Sequence, residues 1–297
     1  MFEIAVPATT ANLGPGFDVL GLALEVYDKY QFKRTKSGFS YQMVGADPTK
    51  YGISLGKDNL FYQAYLHFFK HIDQQPPGLK VVCESNIPIC RGLGSSAAVI
   101  VAGLMAANKM VGSPLGKEEL LDLAVQLEGH PDNVAPAIFG GLVISLANQG
   151  KTIYHRYNLD DLHTVLIVPD FTLETRKARQ VLPHQIDYKD ALFNLSRVSL
   201  LITSLIEGDY QNLKELMKDR LHQPYRKKLI PGFVKVKEAG LNKGAYGVAI
   251  SGAGPTIIAF TEKDKVKDIG QAMVNKFLEF DINAKWIEAG IHNKQLK

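Results

Sequence analysis

The stretch Pro88-Ile89-Cys90-Arg91-Gly92-Leu93-Gly94-Ser95-Ser96-Ala97-Ala98 combines two glycines, two adjacent hydroxyls and a change to small apolar residues that runs to Asn108. This pattern predicts a tight loop entering a helix, with the first amides and the positive dipole end of that helix converging on one point. Such a point suits an anion, and phosphate above all. Gly92 and Gly94 permit positive φ and close approach of the backbone to a ligand. Ser95 or Ser96 can cap the helix or turn a hydroxyl toward a cation. The stretch lacks the Gly-Lys-Ser/Thr ending of a Walker A loop and does not match G-x-G-x-x-G. By itself it reads equally well as an ordinary glycine turn before a helix.

Two further glycine-rich turns accompany it, Pro7-Ala-Thr-Thr-Ala-Asn-Leu-Gly-Pro-Gly-Phe-Asp18 and Ser251-Gly-Ala-Gly-Pro255. Polar residues elsewhere add to the pattern: Glu128, one glycine before His130-Pro-Asp-Asn133, then Thr175-Arg-Lys-Ala-Arg179 and His222-Gln-Pro-Tyr-Arg226. Each has a plain structural reading. His130 alone is more often structural than catalytic, Asp18 can be a turn residue, Asn12 can cap the next segment, and Arg226 heads the basic run Arg226-Lys227-Lys228, which reads as a solvated face. No general base stands out, because neither Asp132 nor His130 has an evident orienting partner in the sequence.

These residues must be positioned by a mixed set of elements. Strands are expected over 2–6, ending at Pro7, then over 22–27, 30–34, 39–44 and 79–84, with a helix over 59–71 between the last two. Helices follow over 97–108 and 117–128, and residues 130–133 read as a polar loop before an apolar run broken at Gly140-Gly141. The second half offers a buried strand over 164–169, helices over 191–207, 210–219 and 233–239, strands over 245–250 and 256–260, a surface helix over 263–280 and a last strand over 284–287. The class is α+β with two lobes, expected over 1–150 and 151–297. At 297 residues the chain can bury a substantial core. A net charge of +4 is mild and does not imply nucleic acid. No apolar stretch escapes interruption by charge or glycine for long enough to span a bilayer. The first residues, Met-Phe-Glu-Ile-Ala-Val-Pro, lack a basic segment followed by an apolar one, and the two cysteines, Cys83 and Cys90, show no metal-ligand spacing. A cytoplasmic protein is expected.

In their order and spacing the three glycine-rich turns resemble the three signature motifs of the GHMP kinases. The resemblance extends over nearly the whole chain. It implies an N-terminal lobe like ribosomal protein S5 domain 2, a ferredoxin-like C-terminal lobe, and ATP held between them by residues 88–98. Within that family, Asn12 to Gly21, Glu128 with His130 to Gly141, Thr175 to Arg179 and His222 to Gly232 are most similar to the branch that phosphorylates L-homoserine. By those matches Glu128, with Ser95 or Ser96, would be the Mg²⁺ site. Asn12, Asp18, His130 and Asn133 would line the amino-acid site, and Arg179 and Arg226 would hold the substrate carboxylate. His130 and Asn133 would be the catalytic residues. The Glu128–His130 link is shorter here than in other members, where several residues intervene. A hard cation needs little more than one carboxylate and one hydroxyl from the protein, and an amino acid presents a carboxylate for arginine and an ammonium for aspartate. The resemblance implies catalysis by transition-state stabilisation, and a homodimer is compatible with it. Two other readings stay open: a family member acting on mevalonate or a related alcohol, and a non-catalytic or RNA-binding protein on the S5-like lobe.

Overall fold

The computed structural model describes residues 1–296. The elements run β1 (Phe2–Ala11), β2 (Leu20–Thr35), β3 (Phe39–Val44), α1 (Leu60–His71), β4 (Gly78–Glu84), α2 (Ser95–Met110), α3 (Lys117–Glu128), α4 (Pro131–Phe139), β5 (Leu142–Asn148) and β6 (Lys151–Tyr157) in the first part of the chain. Then come β7 (His163–Pro169), α5 (Thr175–Gln180), α6 (Tyr188–Glu207), α7 (Leu213–Leu216), α8 (Gln223–Arg226), α9 (Phe233–Asn242), β8 (Gly247–Ile250), β9 (Ile257–Thr261), α10 (Val266–Leu278) and β10 (Ala284–Ala289). The first sheet has the order β3-β4-β2-β5-β6, with β1 also paired to β2, and only its β3–β4 pair is parallel. The second is antiparallel throughout, in the order β10-β7-β9-β8.

Helix α2 is the axis of the first core. Ala97, Ala98, Ala102, Ala106 and Ala107 are buried on several of its faces, as are Ile100, Val101 and Leu104. A helix that is apolar all round belongs in an interior, and small side chains let neighbours approach it closely. A Cβ on Gly103 would meet the Phe61 carbonyl of α1. The second core forms where Val165, Ile167, Val248, Ile250 and Ile257 of the sheet meet Val236 of α9 and Ile269, Met273 and Phe277 of α10.

Several expected boundaries shift for identifiable reasons. Strand β1 does not stop at Pro7 but continues to Ala11, with a register irregularity between Pro7 and Ala8 that absorbs the missing amide. The strands expected over 22–27 and 30–34 are one 16-residue strand. Residues 131–133 are not a loop but the first turn of α4, since Pro131 at the first helical position is pre-set for it. The helix expected over 210–219 shortens to α7. Strand β6 pairs with β5 across the turn at Gln149-Gly150, so the first sheet extends to Tyr157.

The loop between β4 and α2 lies against the turn between β8 and β9. Gly92 has φ +74°, and a Cβ there would press on the carbonyl oxygen of Ser251 and the backbone of Gly254. Gly92→Ala is therefore expected to destabilise the protein by about 2 kcal/mol or more, through left-handed strain plus the backbone clash. Urea unfolding measures this, and an unchanged midpoint would show that the loop can move away from the second lobe without loss.

Candidate active site

The three glycine-rich turns meet in one seam of buried polar contacts. The Ser251 hydroxyl donates to the Gly92 carbonyl at 2.6 Å and shares a hydrogen bond with the Thr10 hydroxyl at 2.9 Å. Asn12 Nδ2 donates to the Gly252 carbonyl at 2.9 Å, and the Gly252 amide donates to the Ala11 carbonyl at 3.1 Å. Arg91, only 7% exposed, spends its guanidinium on the carbonyls of Ile89, Pro169 and Asp170. It thereby ties the loop to the end of β7. Asn12 and Asp18 both have positive φ, +74° and +57°, which Asn and Asp tolerate better than other side-chain-bearing residues. Asn12 Oδ1 accepts the Asp18 amide at 3.0 Å and closes the turn.

Above this seam lies a cavity of about 120 Å³. The N-terminus of α2 opens into it: Gly94 is the N-cap with φ +68°, no side chain caps the helix, and Gly94, Ser95 and Ser96 border the cavity. Neither serine is the cap, so the amides of the first turn remain available to an anion. A Cβ on Gly94 would strike the Thr9 hydroxyl, which donates to Asn133 Oδ1 at 2.8 Å. The loop is thus packed from behind as well as open in front.

Glu128 ends α3, Gly129 caps it at φ +90°, and His130 is already the N-cap of α4. The single glycine reverses the chain so that both flanking side chains border the cavity. Glu128 Oε2 accepts from the Ser96 hydroxyl at 2.9 Å. Burial pushes its carboxyl above the ordinary range, against the pull of His130 and the Ser96 hydrogen bond. A hard divalent cation would offset that cost, and a carboxylate with a hydroxyl is the donor set it takes from a protein. Among the described residues no group of three or more His, Cys, Asp or Glu is placed to hold a metal ion together.

His130 has the orienting partner that the sequence did not show. Its Nδ1 lies 2.6 Å from Asp132 Oδ1, which also accepts from Asn133 Nδ2 at 3.3 Å. Burial lowers the His130 pKa, but the hydrogen bond and charge of Asp132 outweigh it and the net shift is upward. Such a histidine is held toward its protonated, donor form.

Asp18 and Arg179 face each other as a two-pronged ion pair, Nη1 to Oδ2 at 3.0 Å and Nη2 to Oδ1 at 2.7 Å. Arg226 departs from the expected solvated face: it is 2% exposed, while Lys227 and Lys228 beside it are exposed. Its Nε donates to the Ala178 carbonyl at 3.2 Å and its Nη1 to the Gly252 carbonyl at 2.9 Å. Burial lowers its pKa to about 10. Phe17 lies under both guanidiniums, 5.5 Å from Arg179 and 5.0 Å from Arg226, and stacks on the buried His222. Nothing but its place between Gly16 and Asp18 marked Phe17 in the sequence.

The cavity is therefore bordered by Asn12, Asp18, Glu128, His130, Asn133, Arg179 and Arg226 and by Cys90, Gly92, Gly94, Ser95 and Ser96 of the loop. Asp132, Leu173, Glu174, Thr175, Gly252 and Ala253 join them without having been singled out as binding residues. Pro88, Ile89 and Arg91 border a separate cavity of about 500 Å³ instead, and Leu93, Ala97 and Ala98 are buried in the core. A third cavity, about 200 Å³ and mostly apolar, shares Cys90, Ser95 and Ser96 with the first.

The N-terminal domain family of the GHMP kinases matches residues 59–141, and their C-terminal family matches residues 201–279. A homoserine kinase of Halothermothrix orenii is 49% identical over 298 residues, covering all of this chain and 96% of its own. That of Carboxydothermus hydrogenoformans is 44% identical, covering 97% of this chain and 93% of its own. The crystal structure of a homoserine kinase from Cytophaga hutchinsonii superposes with a TM-score of 0.91 at 30% identity, over 99% of this chain and 96% of that one. A mevalonate kinase at 16% identity and a TM-score of 0.74 shares the fold. The glycine-loop cavity and these full-length likenesses agree: the chain belongs to the homoserine kinases of the GHMP kinase family.

Proposed function

We propose that this chain transfers the γ-phosphoryl group of ATP to the side-chain hydroxyl of L-homoserine, giving O-phospho-L-homoserine for threonine biosynthesis. The observation that carries the reading is one cavity in which an uncapped helix N-terminus, a carboxylate–hydroxyl pair and an arginine–aspartate pair converge. A zwitterionic amino acid brings the same two charges that Asp18 and Arg179 now satisfy in each other, so it can replace partner for partner. Asp18 takes the ammonium, and Arg179 and the remaining amine of Arg226 take the carboxylate. Asn12 and Asn133, tied into the wall through their amides, keep one N–H each for the substrate.

Gly92, Gly94 and the first turn of α2 cradle the phosphates, within the segment 88–98 whose other members fix its shape. Glu128 with Ser96, or with Ser95, would hold Mg²⁺, which supplies charge offset to the phosphate oxygens when bound. His130, held toward its protonated form by Asp132, and Asn133 present N–H groups toward the transferring group. Catalysis then rests on positioning and charge stabilisation without a dedicated general base. The first lobe (1–150, with β6 riding on its sheet) contributes the loop, Glu128 and His130. The second (151–297) contributes the arginines. No helix among the described residues is long and apolar enough to cross a membrane.

Homoserine-dependent ADP release, compared across homoserine, threonine and mevalonate, tests the reading directly. Release with homoserine alone or by far the fastest is expected, and a sample that binds ATP yet releases none with homoserine would overturn it. Arg179→Met should raise the homoserine KM by roughly tenfold or more while leaving the ATP KM nearly unchanged, from loss of a charge-assisted pair worth about 1.5–3 kcal/mol. Arg179→Lys should restore only part, since an ammonium lacks the planar fork. A variant with normal homoserine KM would move the carboxylate site elsewhere. Arg226 is not a clean test, because its removal also takes the side-chain donor from the Ala178 carbonyl and one of two from that of Gly252.

Glu128→Gln keeps the shape and removes the charge. Its kcat should fall by roughly a hundredfold or more, with homoserine affinity by calorimetry unchanged and part of the rate recovered at high Mg²⁺. Near-normal turnover at ordinary Mg²⁺ would transfer the metal role, with Asp132 the next candidate.

A further inference from the structure

The apolar cavity beside the loop carries a carboxylate that the reaction above does not use. Asp28, in β2, is 3% exposed. Its Oδ1 accepts the backbone amides of Asn86 at 2.7 Å and Ile87 at 2.8 Å and so fixes the turn that follows β4. Its Oδ2 has only the Tyr30 hydroxyl, at a long 3.4 Å. Asp28 borders the cavity together with Met43, Ile53, Leu60 and Val99, and it is the one carboxylate among the described residues that line it. Two of the other polar side chains there, Asn59 and Ser96, are committed. Asn59 Oδ1 accepts the Phe61 amide, its Nδ2 donates to the Ser54 carbonyl, and the Ser96 hydroxyl donates to Glu128. A buried carboxylate oxygen with one weak partner at the edge of an apolar cavity calls for a donor from the ligand.

We propose that Asp28 Oδ2 accepts the exocyclic 6-amino group of the nucleotide's purine and thereby selects adenine over 6-oxo purines. The assignment rests on the ATP reading above and deepens it. Cys90, Ser95 and Ser96 border both cavities, so a nucleotide with its phosphates on the N-terminus of α2 reaches Asp28 with its base. The base's apolar faces fit Met43, Ile53 and Val99. Its amine meets the carboxylate, whereas hypoxanthine or guanine would bring a carbonyl oxygen against it. Burial pushes the Asp28 carboxyl up and the two amides draw it down, and a third N–H favours the charged acceptor further.

The wild-type enzyme supplies the first measurement: kcat/KM with homoserine for ATP, ITP and purine riboside triphosphate, which lacks any 6-substituent. ATP should exceed the unsubstituted analogue by roughly tenfold to a hundredfold, and ITP should be poorer still. Asp28→Asn sharpens the test. The amides of Asn86 and Ile87 demand an acceptor, so the new side chain must keep its oxygen on them and turn its NH₂ into the cavity. That variant should lose ATP and gain ITP, collapsing the ATP-to-ITP preference by roughly a hundredfold while the homoserine KM holds. Equal use of all three nucleotides by the wild type would overturn the proposal. So would a uniform loss across nucleotides with a lowered melting temperature in the variant, which would leave Asp28 as a turn anchor only. Absence of homoserine-dependent turnover with every nucleotide would instead fail the kinase reading. Calorimetric binding of ATP against ITP, which needs no turnover, then decides Asp28 separately.

Discussion

The hydroxyl of Ser251 holds the site together. It reaches the Gly92 carbonyl of the phosphate-type loop and the Thr10 hydroxyl of the first turn, joining segments 159 and 241 residues away along the chain. Neither hydroxyl meets water, since Thr10 and Ser251 are fully buried. A buried hydroxyl that loses its partner costs about 1–3 kcal/mol, more than the bond itself contributes. The seam is therefore satisfied as a whole or not at all. This constraint sets the glycines: Gly92 and Gly252 must let backbones approach to hydrogen-bond distance, and any Cβ on Gly92 would occupy the place of the Ser251 carbonyl. Arg91 extends the same logic to β7 with three carbonyls on one guanidinium. The lobes are fixed relative to the loop by polar groups that have nowhere else to bond.

Charge in the cavity is arranged in the same way, by partners supplied before the ligand arrives. Glu128, His130 and Asp132 lie within five residues, and only a left-handed Gly129 lets two helix ends present all three to one space. Asp132 holds His130 toward its charged form, and Asn133 is locked between Asp132 and Thr9. Burial pushes the Glu128 carboxyl above its ordinary range, a cost that a nearby cation would offset. A transition state with negative charge spread over phosphoryl oxygens is met by dipoles and charges already in place.

Much of this was legible in the sequence, and the reasons are physical. Positive φ and close approach leave glycine as their mark, so the three turns stood out in Gly14, in Gly92 and Gly94, and in Gly252 and Gly254. The small-residue helix after Ser95 announced its burial by lacking a polar face. What stayed hidden were pairings between distant side chains. Nothing in the sequence places Asp132 on His130 Nδ1, Asp18 on Arg179, or Phe17 beneath two arginines. Arg226 was misleading because Lys227 and Lys228 disguise it as part of a solvated run, when α8 turns it inward. Pro7 misled for a related reason: it forbids one ladder bond, and the strand absorbed the loss with a local shift instead of ending. Local rules locate the elements and their strained points, whereas the long-range polar contacts depend on how the sheets come together.

In the proposed substrate complex, the Asp18–Arg179 pair lets one site be both neutral when empty and selective when filled. Its side chains are 35% and 37% exposed, so solvent screens the attraction and the pair contributes at most about 1 kcal/mol. A ligand displaces it at little cost only if it returns a partner to each member. An amine alone would satisfy Asp18 and strand Arg179; a carboxylic acid alone would do the reverse. Arg226 leans the balance further, because burial and the adjacent Arg179 already lower its pKa, so a carboxylate relieves two cations together. An alcohol such as mevalonate offers the carboxylate without the ammonium and leaves Asp18 uncompensated beside Asn12. On the proposed binding mode, preference for an amino acid thus follows from a weak internal ion pair more than from strong direct contacts.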